Sequence, residues 1–128
     1  MLLLDTCTLL WLAESKGQLS PRAKTLIDEN PAALYLSSIS GFEISLLVSK
    51  KRLKIPLPVM DYLNLCVEFY GLQEIPVNME IAIQANLLPL IHKDPADRII
   101  IATAMLHKLT ILTPDPFISR YPGIKTAW

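Results

Sequence analysis

The sequence predicts an α/β fold, a central and mostly parallel sheet of four to five strands with helices on both faces. Two observations carry this. Short apolar runs stop abruptly at a polar residue, as buried parallel strands do, and each is followed by a longer stretch with helical spacing and a helix-start signal. Three of the predicted strands are followed by an acid, Asp5, Glu43 or Asp115, within a few residues of the strand end.

Met1 to Leu4 reads as the first strand, ending at Asp5. Leu9, Leu10, Trp11, Leu12 and Ala13 continue as a helix that stops near Gly17, with Thr6 as its cap and Asp5 on the strand-to-helix turn. Ser20-Pro21 opens a second helix with a cap and a proline at the first position, ending near Asn30-Pro31. Leu34 to Leu36 is a second short strand. The helix after it is expected to carry Glu43 in its first turn and to bury Ile44, Leu46, Leu47 and Val48. Ser40 and Glu43 have Ser-x-x-Glu spacing, so a capping box is the structural alternative to a functional Glu43.

Lys50, Lys51, Arg52 and Lys54 close that helix. Cations complement a helix C-terminus, and the same residues can meet phosphates. Val59 to Tyr70 is an amphipathic helix ending at Gly71, with Cys66 on its apolar face. Leu72 to Val77 reads as a third strand and Met79 to Leu88 as a further helix. Asp94 then caps a helix with Pro95 at its first position and Asp97 in its first turn. From Ile99 to Leu106 that helix is apolar almost all round, which buries it. Leu109 to Leu112 is a fourth strand, followed by Thr113-Pro114-Asp115, and Lys125 to Trp128 reads as an edge strand. Asp115 can also be read as an ordinary turn residue between prolines. With no repeat, linker or low-complexity tract, residues 1–128 are expected to form a single domain.

The chain is 52% hydrophobic, enough for a sizeable core. Lys plus Arg and Asp plus Glu number 12 each, so no global field draws the chain to nucleic acid, although a local basic patch can. Cys7 and Cys66 lack the spacing of a zinc knuckle or disulfide framework. No apolar run is long enough for a membrane span, and Met-Leu-Leu-Leu-Asp lacks the basic start of a secretion signal. A cytoplasmic protein with reduced thiols is expected.

In a parallel sheet every carboxyl end points the same way. Asp5, Glu43 and Asp115 each follow a strand, and Asp97 begins the helix that feeds another, so all four acids are expected on one rim. Clustered carboxylates repel unless a cation joins them. Hard oxygen donors favour Mg²⁺ or Mn²⁺, which can polarise a phosphate and activate water.

The residues also resemble a known family. Leu3-Leu4-Asp5-Thr6 with Leu9-Leu10-Trp11-Leu12, then Ser38-x-x-Gly41-Phe42-Glu43-Ile44, then His92-x-Asp94-Pro95-x-Asp97-Arg98 with Ile101-Ala102-x-Ala104, then Leu112-Thr113-x-Asp115-x-Phe117, is similar to a PIN domain. More narrowly, it resembles the VapC-like toxin ribonucleases of type II toxin–antitoxin modules, in order and over essentially the whole chain. The third block is the most specific. The resemblance implies a three-layer PIN-like fold and a Mg²⁺- or Mn²⁺-dependent endoribonuclease cleaving RNA. It also implies a homodimer, neutralised by a small antitoxin protein.

By position the acidic site falls on Asp5, Glu43, Asp97 and Asp115, as catalytic and metal-holding residues, with Thr6, Thr113 and Asp94 as polar support. Lys50, Lys51, Arg52 and Arg98 are expected RNA contacts. Cys7 stands where relatives of this subgroup often have histidine, and Gly41-Phe42 where they often have a small residue and tryptophan. Neither departure removes an acid. His92 is expected to orient its loop, and His107 to serve as a cation at a helix C-terminus.

Two other readings compete. A receiver-type phosphoacceptor domain would need an acid after its middle strand, where this chain has Pro76-Val77-Asn78. A non-catalytic PIN-like module would hold RNA or a partner without cutting, and the full set of acids argues against that.

Overall fold

A computed structural model describes all 128 residues. Five short strands, β1 (Leu2–Leu4), β2 (Leu34–Ser37), β3 (Gln73–Ile75), β4 (Thr110–Leu112) and β5 (Lys125–Ala127), form one sheet in the order β3-β2-β1-β4-β5. Every neighbouring pair is parallel, with Leu3 facing Tyr35 on one side and Ile111 on the other. The chain builds outward from β1 through β2 to β3, then crosses to the other side for β4 and β5. The reversal lies between β1 and β4, and in open α/β sheets the crevice at the carboxyl ends of such a pair takes the ligand.

Six helices cover the sheet: α1 (Thr6–Glu14), α2 (Pro21–Glu29), α3 (Ile39–Ser49), α4 (Val59–Tyr70), α5 (Met79–Leu87) and α6 (Pro95–His107). Side chains alternate along a strand, and the core divides accordingly. Leu3 and Ile111 pack with Ile81, Ala85, Ile100 and Ile101 of α5 and α6. Leu2, Leu4 and Leu112 pack with Leu9, Ala23, Ile27, Ile44 and Cys66 of α1 to α4. The result is a three-layer α/β fold with helices on both faces, as the alternation of elements requires. No helix is long and apolar enough to cross a membrane.

The local signals around α2 and α6 act as read. Ser20 accepts from the Ala23 amide at 3.0 Å, and Asp94 accepts from the Ala96 amide at 2.9 Å, with proline at the first position of each helix. Five expectations need correction. The cap of α1 is Asp5, which accepts from the Thr6 amide at 2.7 Å, and Thr6 is the first helical residue. The helix α3 starts at Ile39, so Glu43 is its fifth residue, beyond the first turn. No capping box forms: α3 has no side-chain cap, and the Ser40 hydroxyl bonds Thr6 instead. Of the expected buried stripe only Ile44 is enclosed, while Leu46 is 41% exposed. The third strand is also shorter than Leu72 to Val77: Pro76 has no amide proton to give, and the Val77 amide turns to the Ser38 hydroxyl at 3.0 Å.

Candidate metal centre

Asp5 leaves the carboxyl end of β1 and is 5% exposed. One of its oxygens caps α1, and the other accepts the Thr113 hydroxyl at 2.7 Å. Thr113 directly follows β4, so this bond ties the two strands at the reversal of the sheet. Its hydroxyl also accepts the Asp115 amide at 3.1 Å, which sets the start of the loop carrying Asp115. On the other side Thr6 donates to Glu43 Oε1 at 2.6 Å and shares a 2.8 Å hydrogen bond with Ser40. A residue of α1 thereby orients an acid of α3. Both threonines expected as polar support bond acids of the group.

Asp97, in the first turn of α6, joins two sets of donors. Single ligand atoms of Glu43, Asp94 and Asp97 lie within 4.8 Å of one another, and so do those of His92, Asp97 and Asp115. Asp5 stands outside both sets, yet its charge still acts on Asp97 and Glu43. Two oxygens on opposite sides of an octahedral Mg²⁺ lie about 4.2 Å apart, so this spacing fits a small divalent cation. The donors are carboxylate oxygens with a single imidazole and no thiolate ligand, which suits Mg²⁺ or Mn²⁺ chemically.

The electrostatics describe a group of acids waiting for a positive charge. Burial lifts the Asp97 carboxyl most, and the charges of Asp5, Asp94 and Glu43 add to it, against the influence of His92, pushing its pKa up to about 7. Glu43 is raised by burial first and by Asp5 and Asp94 next, opposed by the Thr6 hydrogen bond. Asp5 is raised mainly by burial, against the Thr113 and Thr6 bonds. Burial and the neighbouring Asp5 charge push the Cys7 thiol up to about 12, so it stays protonated and is no thiolate ligand.

The structure brings in one residue that the sequence reading placed only as a loop support. His92 Nε2 lies 2.9 Å from Asp115 Oδ2 and 3.0 Å from Asp97 Oδ2, between two of the four acids. Its spacing, five residues ahead of Asp97 across the Asp94-Pro95 cap, was a usable signal.

It also corrects one expected RNA contact. Arg98 is 6% exposed, and its guanidinium donates to the carbonyls of Leu88, Pro89 and His92 and to the Tyr121 hydroxyl. With those donors spent inside the protein, it anchors the loop before α6 and is not available to phosphate. Lys50, Lys51 and Arg52 are exposed at the end of α3, about 10 Å along the helix axis from Glu43.

The open parallel sheet, covered by helices on both faces and with carboxylates gathered at its reversal, defines the class as an α/β fold with an acidic pocket at the strand ends. The particular family follows from comparison: the family model for the PIN domain matches residues 2–124, and the chain belongs to that family. The protein named Ribonuclease VapC22 from Mycobacterium tuberculosis (strain ATCC 25618 / H37Rv) is 31% identical over 129 residues, covering 98% of this chain and 97% of its own. Among solved structures, VapBC2 from Rickettsia felis, bound to a DNA fragment from its promoter, matches with a TM-score of 0.75 at 16% identity, covering 98% of this chain and 96% of that one. A toxin–antitoxin complex from Klebsiella pneumoniae matches with a TM-score of 0.70 at 22% identity, over 100% of this chain and 98% of that one. The likeness to VapC-type proteins read from the sequence is thus borne out, and the fold is theirs.

Proposed function

We propose that this chain is a Mg²⁺- or Mn²⁺-dependent endoribonuclease and the toxin of a toxin–antitoxin pair. The observation that carries the reading is Asp97, a half-enclosed acid shared between two sets of ligand atoms at the sheet reversal. Such crowding stabilises nothing by itself; it becomes favourable when a cation binds. The 31% identical ribonuclease supports RNA as the substrate, and the toxin–antitoxin complex supports a small antitoxin as the partner. The chain is proposed to act as a homodimer, as the resemblance implies.

Asp5, Glu43, Asp97 and Asp115 are the proposed catalytic and metal-holding residues. When bound, the cation would polarise the scissile phosphate and make water a competent nucleophile near neutral pH. The protein's own part is orientation. Thr6 holds Glu43 and Thr113 holds Asp5, while the Asp94 cap fixes the first turn of α6, from which Asp97 projects.

Incubating the purified chain with a structured RNA tests this. Cleavage should require Mg²⁺ or Mn²⁺, stop on adding EDTA and return when the metal is restored in excess. RNA that is bound but never cut under any of these conditions would favour a non-catalytic binding module.

A further inference from the structure

His92 occupies a position that neither the caps nor the acids account for, and its surroundings assign its protons. The Asp94 amide donates to His92 Nδ1 at 3.1 Å, so that nitrogen presents a lone pair. The proton of the neutral ring therefore sits on Nε2, the atom placed 2.9 Å from Asp115 and 3.0 Å from Asp97. One N–H thus faces two carboxylate oxygens.

The ring is held from behind. The His92 amide donates to the Tyr121 hydroxyl at 2.8 Å, and the His92 carbonyl accepts from Arg98 at 3.2 Å. Tyr121 donates onward to the Pro89 carbonyl at 2.9 Å. The Phe117 ring meets the imidazole edge to face, with centroids 5.8 Å apart. Arg98 is adjacent to Asp97 in sequence, so a single turn of α6 supplies both an acid and the anchor of the loop that orients it.

We propose that His92 is a positioning residue for the acid cluster, holding Asp97 and Asp115 toward a cation through Nε2–H without ligating the cation itself. The inference rests on the metal-dependent reading above. Ligation would need the lone pair on Nε2, and moving the proton to Nδ1 would set it against the Asp94 amide. It would also strip both carboxylates of their shared donor. Donors behind metal-holding carboxylates are worth roughly ten- to a hundredfold in metal affinity.

Three measurements on the full chain test this. In long-range proton–nitrogen NMR of the metal-free protein, recorded at a pH where the ring is neutral, His92 should carry its proton on Nε2, and saturating Mg²⁺ should leave that proton in place. In calorimetric titration with Mn²⁺, His92→Leu should bind roughly ten- to a hundredfold more weakly than the parent. The variant His92→Gln, which restores an N–H near the same place, should recover most of that loss. A proton on Nδ1, before or after Mg²⁺, overturns the proposal. So does a His92→Leu variant that binds Mn²⁺ as the parent does, or a His92→Gln variant as weak as His92→Leu. If the parent itself binds no Mn²⁺, the metal reading fails first and the positioning role falls with it.

Discussion

Thr113 gives its hydroxyl proton to Asp5 across 108 residues of chain, at 2.7 Å, and so joins the ends of the two strands between which the sheet reverses. Replacing Thr113 with valine keeps the shape and removes the donor from a carboxylate that has little water to turn to. Metal-free stability in chemical denaturation should fall by about 1–3 kcal/mol. Mn²⁺ affinity should fall about tenfold, because Asp5 loses the group that orients it. Unchanged values for both would make the contact incidental.

The raised Asp97 pKa predicts a pH dependence with a definite sign. In the unfolded chain this carboxyl titrates at its ordinary value of 3.8, and in the folded protein at about 7. Between those values the folded state keeps a proton that the unfolded chain has released, so this group's contribution to stability falls as pH rises from about 4 to 7 and is flat above. Asp97→Asn removes that loss. In EDTA, the variant should gain stability relative to the parent on going from pH 5 to pH 8, by up to a few kcal/mol. An equal difference at both values would show that Asp97 titrates normally. Mn²⁺ binding to the parent should strengthen over the same range, because the proton must leave before the cation is held.

The basic end of α3 gives a separate test. Lys50, Lys51 and Arg52 are exposed, and nothing in the structure pairs them with an acid. If they meet RNA phosphates, reversing all three charges should weaken binding and reduce the magnitude of its log–log salt slope by about two for a single strand. A slope equal to the parent's would return them to a plain role at the helix terminus.

What the sequence disclosed and what it hid have a common physical cause. Asp94-Pro95 and Ser20-Pro21 were legible because a cap acts over three residues. The acids at Asp5 and Asp115 were legible because strand ends in a parallel sheet share a direction. Glu43 was misplaced within α3 because Ser-x-x-Glu imitates a capping box, while its actual partner, Thr6, lies 37 residues away. Arg98 was expected to contact RNA, but it is buried. Its actual partners are three backbone carbonyls and the Tyr121 hydroxyl, gathered by a loop whose path no local pattern encodes. Leu46 was expected inside because it is apolar, but α3 turns only a narrow face to the sheet and leaves it 41% exposed.

The most direct measurement compares RNA cleavage and metal-free melting temperature in the parent and in Asp97→Asn. The substitution keeps the side-chain shape and a hydrogen-bond acceptor while removing the charge. If Asp97 holds the cation, cleavage should drop by two orders of magnitude or more, roughly what is lost when charge stabilisation of the reacting group is removed. The metal-free variant should meanwhile melt at or above the parent's temperature, because repulsion with Asp5, Asp94 and Glu43 is relieved. Retained cleavage together with a lower melting temperature would contradict the account, reducing Asp97 to a helix-end residue and removing the main support for a nuclease.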